Sequence, residues 1–158
     1  MSDRDADVPG NATTPEDTPT ATTPEDATTV IVDTNALMMP VELDVRVFDE
    51  LDRLVGDADL VVPEAVVAEL EKLADTGTGT EATAAAVGRD LASRCRVVGT
   101  EASYADDAVV ELAADTGDGA LTDGYAVTND RPLRDRLLER GVRVIGLRGR
   151  TTLEITEP

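Results

Sequence analysis

The sequence predicts an α/β fold in which helices cover both faces of a central, mostly parallel sheet of five strands. Five short apolar runs rich in Val, none longer than a strand, alternate with amphipathic stretches along most of the chain. This alternation is typical of βαβ units, whose crossover connections make successive strands run parallel. The 158 residues also suffice to bury one hydrophobic core without disulfides or structural metals.

The five strands are predicted from apolar runs that stop at a polar residue or at proline. The first strand ends before Asp33 and the second ends before Pro63. Short continuous runs of this kind are typical of strands that are buried on both faces of a parallel sheet. In chain order, the strands are predicted over residues 30–32, 60–62, 96–98, 126–128 and 142–145.

Five helices are predicted from apolar residues that recur with the helical period. The first helix carries Val47, Leu51 and Leu54 on one face. The last has Pro132 in its first turn and Gly141 just after its end, which are the residues that favour a helix start and stop. The helices are predicted over residues 45–55, 64–75, 81–93, 106–114 and 132–140.

Both ends of the chain are predicted to lie outside the folded domain, which spans residues 29–150. Residues 1–28 consist mainly of Thr, Pro, Asp, Glu and Ala, and Thr-Thr-Pro-Glu-Asp occurs twice among them. This composition buries too little apolar surface to fold, so we expect a disordered acidic tail. Residues 151–158 are predicted to form a short exposed C-terminal tail.

The composition is strongly acidic, with 33 acidic against 14 basic residues and a formal net charge of −19. Lys72 is the only lysine, and the other basic residues are arginines. Acidic, lysine-poor chains are typical of proteins from halophilic archaea, which work in molar salt. There the Debye length falls to about 3 Å, so the negative charge does not exclude a polyanionic substrate such as RNA.

The residue types that are missing exclude several classes of catalytic site. The chain contains no histidine and one cysteine, Cys95, so histidine-based triads, zinc-hydrolase sites, cysteine zinc cages and internal disulfides are excluded. Catalysis must therefore depend on carboxylates, hydroxyls, arginines or bound cations. Because no stretch resembles a membrane span or a signal peptide, we expect a cytoplasmic protein that does not associate with membranes.

Acidic side chains follow four successive predicted strands. They are Asp33, Glu69 in the helix after the second strand, the pair Asp106 and Asp107, and Asp130. Because the carboxyl ends of parallel strands lie at one edge of a sheet, we expect these groups to converge there. Carboxylates that converge repel one another unless a cation such as Mg²⁺ or Mn²⁺ joins them.

We therefore predict that Asp33, Glu69, Asp107 and Asp130 bind metal, with Asp106 as the alternate for Asp107. A simpler role remains open for several of them, since an aspartate after a strand is also a good helix N-cap. This alternative applies most strongly to the pair at the start of the fourth predicted helix, where one residue could cap while the other binds metal.

Four segments resemble the successive motifs of PIN-domain ribonucleases, in the order of that family and over roughly residues 30–149. They are Val-Asp-Thr-Asn-Ala-Leu-Met (32–38), Val-Val-Ala-Glu-Leu (66–70), Tyr-Ala-Asp-Asp-Ala-Val (104–109) and Val-Thr-Asn-Asp-Arg-Pro-Leu (127–133). The third and fourth are more similar to the ribosome-processing branch than to VapC-type toxins.

This resemblance implies a three-layer PIN-like fold and a Mg²⁺- or Mn²⁺-dependent endoribonuclease, with a role in rRNA or tRNA processing. It implies that Asp33, Glu69, Asp107 and Asp130 are catalytic, that Asn35 braces the first carboxylate, and that a hydroxyl of Thr34 or Thr128 orients a ligand or water. Asn129 is expected to support the site.

RNA is the expected partner, and three further expectations concern what surrounds the site. Arg131, beside Asp130, is predicted to contact phosphate, although surface ion pairing would also explain the arginines near the C-terminus. Tyr104 could stack on a base or pack in the core. A homodimer, a toxin paired with an antitoxin, and a catalytically silent scaffold for RNA or a ribosome-assembly protein remain open alternatives.

Overall fold

Six strands and six helices make up the part of the chain described by the structure, a computed structural model of residues 28–116 and 124–158. The strands are β1 (Thr28–Val32), β2 (Ala58–Pro63), β3 (Arg96–Val98), β4 (Gly124–Val127), β5 (Arg143–Arg148) and β6 (Thr152–Thr156). The helices are α1 (Thr34–Glu42), α2 (Val47–Val55), α3 (Glu64–Thr76), α4 (Gly79–Ala92), α5 (Ala105–Thr116) and α6 (Arg131–Glu139). Apart from Thr28, the predicted tail over residues 1–28 lies outside the described residues.

The strands form one sheet in the order β3-β2-β1-β4-β5-β6, and every neighbouring pair is parallel except β5 and β6. The predicted α/β fold with a mostly parallel central sheet is therefore confirmed. Strand β1 lies at the centre, and Val30, Ile31 and Val32 are all at most 2% exposed. Successive residues of a strand point to opposite faces, so helices must cover the sheet on both sides.

The strand count was predicted as five, and the sixth strand lies in the segment that was interpreted as a short C-terminal tail. Strand β6 pairs antiparallel with β5, and Leu153 is 1% exposed. Its backbone is also held by helix α2: the Leu153 N–H donates to Glu50 Oε1 at 2.9 Å, and Arg53 Nη2 donates to the Leu153 carbonyl at 2.9 Å. These partners are about 100 residues distant in sequence, so local pattern gives no sign of them.

Helix α1 was not predicted either. Five of its nine residues are buried, namely Thr34, Ala36, Leu37, Met38 and Met39, and Pro40 lies inside it. A helix that is apolar on most of its sides has no amphipathic period, and an internal proline argues against a helix. The other five helices begin and end within two residues of the predicted bounds.

Helix α4 packs against α1 and α3 through small residues. Ala84, Ala85 and Gly88 are buried in this contact, and a Cβ on Gly88 would lie 3.0 Å from the Leu37 carbonyl oxygen. This close approach fixes α1, the helix that begins directly after Asp33.

No helix among the described residues is long and apolar enough to cross a membrane.

Candidate active site

The site lies where the central strands β1 and β4 end side by side. Val32 and Val127 are paired in the sheet, so the next residues of the two strands, Asp33 and Thr128, are neighbours. The pairing continues past the strand ends, because the Asp33 N–H donates to the Val127 carbonyl at 3.1 Å. Since the strand order reverses between β1 and β4, this position is the switch point at which ligands bind in open α/β sheets.

Asp33 is held by two side chains that donate to the same carboxylate oxygen. Thr128 Oγ1 and Asn35 Nδ2 both lie 2.8 Å from Asp33 Oδ2. The amide of Asn35 is itself fixed, because its Oδ1 accepts from the Asn129 N–H at 2.8 Å. Although Asp33 occupies the N-cap position of α1, its side chain makes no capping hydrogen bond.

Asp33 is only 4% exposed, and its ionised form is poorly solvated. The pKa of Asp33 is raised to about 6, chiefly by burial and to a smaller extent by the negative charges of Glu69 and Asp130. Hydrogen bonds from Thr128 and from the Thr34 backbone lower the pKa but do not offset burial. A nearby cation would relieve both the desolvation and the repulsion.

Glu69 is joined to the same site through the first turn of α1. Thr34 Oγ1 donates to Glu69 Oε1 at 2.7 Å, and Thr34 is 7% exposed. This bond links helices α1 and α3 across the carboxyl ends of β1 and β2. The Thr34 hydroxyl therefore fixes the orientation of the second carboxylate.

Asp130 lies on the other side of Asp33, at the start of helix α6. Its backbone N–H donates to Thr128 Oγ1 at 3.1 Å, and its Oδ1 accepts from the Leu133 N–H at 3.1 Å. Asp130 is thus a helix N-cap, as its simpler interpretation predicted. It also lines the cleft that contains Asp33.

Asp106 and Asp107, in the first turn of helix α5, have different surroundings. Asp106 lines the cleft, whereas Asp107 is not among the lining residues and accepts from Arg136 Nη2 at 3.0 Å. Arg136 also lies 3.7 Å from Asp106 Oδ2. The geometry therefore favours Asp106, the predicted alternate, as the carboxylate that α5 contributes.

The four carboxylates of Asp33, Glu69, Asp106 and Asp130 line one open cleft of about 620 Å³. Among the residues that the structure describes, no three acidic side chains lie close enough together to form a finished metal cage. Mg²⁺ retains several water ligands when it binds to proteins, so it does not require direct ligation by three side chains. The all-oxygen donor set fits such a hydrated divalent ion.

A family model described as a PIN like domain matches residues 30–150 of the chain. The chain belongs to this family. The same residues include every carboxylate of the cleft, so the PIN-like match and the site coincide. No curated protein sequence is significantly similar to the chain.

Two solved structures support the PIN-like fold, and a third is less similar. The PIN domain endonuclease Utp24 superposes with a TM-score of 0.65 at 22% identity, over 82% of this chain and 92% of that one. A domain of a functionally unknown protein from Methanocaldococcus jannaschii gives 0.51 at 22% identity, over 78% and 93%. VapBC2 from Rickettsia felis, bound to a DNA fragment, gives 0.49 at 12% identity, over 76% and 99%.

A second, smaller depression of about 260 Å³ lies beside the cleft of this PIN-like domain. The two share Asp130, and the smaller one is also lined by Thr128, Asn129, Arg131 and Arg134. Arg131, predicted to contact phosphate, therefore lies next to the cleft and not inside it.

Three charged residues of the cleft were not predicted as site residues. The cleft is lined by Glu42 at the end of α1, by Lys72 within α3 and by Glu81 in the first turn of α4. Lys72 could have been found, because it is the only lysine and lies one helical turn after Glu69. Glu42 and Glu81 carry no such signal, since α1 was not predicted and glutamate is common on helix surfaces.

Proposed function

We propose that this PIN-like domain is a divalent-metal-dependent endoribonuclease that hydrolyses phosphodiester bonds of RNA. The observation that carries the proposal is the buried Asp33, which lies between the like charges of Glu69 and Asp130 in an open cleft. A protein that keeps a desolvated carboxylate beside two others loses stability unless a cation binds there.

The residues that would hold Mg²⁺ or Mn²⁺ are Asp33, Glu69, Asp106 and Asp130. A bound divalent ion supplies Lewis acidity toward the phosphoryl oxygen and lowers the pKa of a ligated water. The chain supplies the orientation. Thr128 and Asn35 hold Asp33, and the hydroxyl of Thr34 holds Glu69.

Arg136 has a supporting role in this proposal. It binds Asp107 at 3.0 Å, which leaves the neighbouring Asp106 to face the cleft. Arg131 and Arg134, in the adjoining depression, are suited to contact the phosphates of an RNA strand that passes Asp130.

RNA as substrate, and a role in rRNA or tRNA processing, rest on two supports. One is the similarity of the Tyr-Ala-Asp-Asp and Thr-Asn-Asp-Arg segments to the ribosome-processing branch of PIN proteins. The other is the fold shared with the endonuclease Utp24. A toxin that is paired with an antitoxin and a catalytically silent RNA-binding scaffold are the alternatives that the experiment must separate.

The test is cleavage of a mixed-sequence RNA by the purified full chain, in high salt, with Mg²⁺, with Mn²⁺ or with chelator. We expect cleavage with either metal and none with chelator. Loss of a hydrogen-bond partner of a metal ligand typically lowers metal affinity or activity roughly 10- to 100-fold. Because Asp33→Asn changes a proposed ligand itself, it should lower the cleavage rate by more than this.

The matched control is Asp52→Asn, which removes one carboxylate from the exposed face of α2, outside the cleft. Equal loss in both variants would assign the effect to net charge and would contradict the proposal. RNA binding by the wild-type chain without any metal-dependent cleavage would favour the scaffold. Growth arrest on expression, relieved by a neighbouring small protein, would favour the toxin.

A further inference from the structure

Tyr104 is an aromatic residue that the proposed chemistry does not use. It lines the acidic cleft and is 74% exposed, the highest exposure among the large hydrophobic residues that the structure describes. The alternative that it packs in the core is therefore wrong. The other two aromatic side chains are partly buried: Arg94 lies over Phe48, and Arg143 lies over Tyr125.

The backbone that carries Tyr104 is fixed. The carboxylate of Glu111 accepts from the N–H groups of Glu101 and Ala102, each at 2.9 Å. The Tyr104 carbonyl accepts from the Ala108 N–H at 2.9 Å, which anchors it to the first turn of α5. An aromatic ring on a fixed backbone binds a ligand at little cost in conformational entropy.

The position of Tyr104 relates it to the proposed chemistry. It precedes Asp106 by two residues, and both line the cleft. Every nucleobase has a flat apolar face, and bases stack on exposed aromatic residues in proteins that bind single strands. Lys72, from the opposite helix α3, lines the same cleft and is suited to contact a phosphate of the same nucleotide.

We infer that Tyr104 is the residue on which an unpaired base next to the cleaved phosphate stacks, whether that base belongs to a single strand or is bulged or flipped out of a helix. The inference rests on the proposed function. A base inside a duplex already stacks on both neighbours and offers no free face, so a duplex gains nothing from the tyrosine.

The experiment measures binding of a single-stranded oligoribonucleotide containing 2-aminopurine, and of the same strand annealed to its complement, at one fixed salt concentration without divalent metal. The protein is the full chain with Asp33→Asn, which prevents cleavage during the titration. Tyr104→Ala should weaken single-strand binding about 5- to 150-fold, the range measured for loss of a base–aromatic stack. Duplex binding should not change.

Two variants serve as controls. Tyr104→Phe keeps the ring and should bind single strands as the parent does. Val97→Ala removes another exposed apolar side chain, 47% exposed on strand β3 and outside the cleft, and should have no effect. Equal weakening of single strand and duplex, or no weakening in Tyr104→Ala, would overturn the inference. Quenching of the 2-aminopurine fluorescence by the parent chain, and its loss in Tyr104→Ala, would support stacking directly.

Parallel cleavage assays separate the two proposals. They use the chain that retains Asp33, with and without Tyr104→Ala. If Tyr104→Ala raises KM for single strands with little change in kcat, both stand. If the wild-type chain cleaves RNA and Tyr104→Ala leaves KM unchanged, the stacking inference fails alone. If single-strand binding depends on Tyr104 but no condition gives cleavage, the nuclease proposal fails alone. A Tyr104-dependent contact with another protein, and none with RNA, would reject the inference in favour of a protein-docking residue.

Discussion

Replacing Asp33 with asparagine should stabilise the metal-free protein, even though it removes a site residue. In the wild type, Thr128 Oγ1 and Asn35 Nδ2 each donate to Asp33 Oδ2 at 2.8 Å. Asparagine has nearly the same shape, and its side-chain carbonyl oxygen can still accept both hydrogen bonds. The substitution removes a charge that is 4% exposed and is repelled by Glu69 and Asp130.

The magnitude follows from the pKa of Asp33, which rises from 3.8 to about 6 on folding. The folded pKa lies above the unfolded one, so the folded state binds the proton more tightly. The stability that this group contributes is fully present below pH 3.8 and is lost as the pH rises through about 6. At neutral pH the ionised Asp33 costs the fold about 3 kcal/mol.

The assay compares wild type and Asp33→Asn by chemical denaturation at one fixed salt concentration, with chelator, at several pH values. The variant should equal the wild type near pH 4 and exceed it by up to about 3 kcal/mol above pH 7. Adding Mn²⁺ should raise the denaturant concentration at the unfolding midpoint of the wild type. It should raise the midpoint of the variant much less. A difference that stays constant across this pH range, or a less stable variant at neutral pH, would refute the argument.

Three further changes test the supports of the site. Thr128→Val removes the hydroxyl that donates to Asp33, and it should weaken Mn²⁺ binding about 10- to 100-fold in a calorimetric titration. Gly88→Ala should lower the thermal midpoint. The alanine gains about 1 kcal/mol of helix propensity, but its Cβ would lie 3.0 Å from the Leu37 carbonyl oxygen, and overpacking costs about 1–3 kcal/mol. Glu111→Ala frees the two N–H groups before Tyr104, and it should raise KM for single-stranded RNA in steady-state cleavage assays while Mn²⁺ affinity stays unchanged.

The sequence predicted the sheet and the position of three carboxylates because both depend on local pattern plus one general rule. Asp33 and Asp130 follow strands β1 and β4, and Glu69 lies in the helix after β2. In a parallel sheet the carboxyl ends of strands share an edge, so knowing the strands suffices to bring these residues together.

What was missed depends on contacts between distant segments or on the rotation of a helix. Strand β6 is held by Glu50 and Arg53 of α2, which no local pattern can indicate. The choice between Asp107 and Asp106 could not be made from the sequence for a different reason. Adjacent residues of a helix point about 100° apart, so the rotation of α5 against α6 decides which one faces the cleft. That rotation is marked by the ion pair between Asp107 and Arg136.

Burial, and not the number of acidic residues, distinguishes this site from the rest of an acidic surface. Asp33 is the only charged residue that is buried among those described. At about 1 M salt the Debye length is about 3 Å, so exposed carboxylates are screened and attract divalent ions weakly, while a buried group is screened much less. We therefore expect Mn²⁺ titrations to show several weak sites at about 0.15 M salt and one remaining site at about 1 M. That remaining site should disappear in Asp33→Asn and persist in Asp52→Asn. If molar salt abolished all Mn²⁺ binding by the wild type, the buried carboxylate would not be the centre of a metal site.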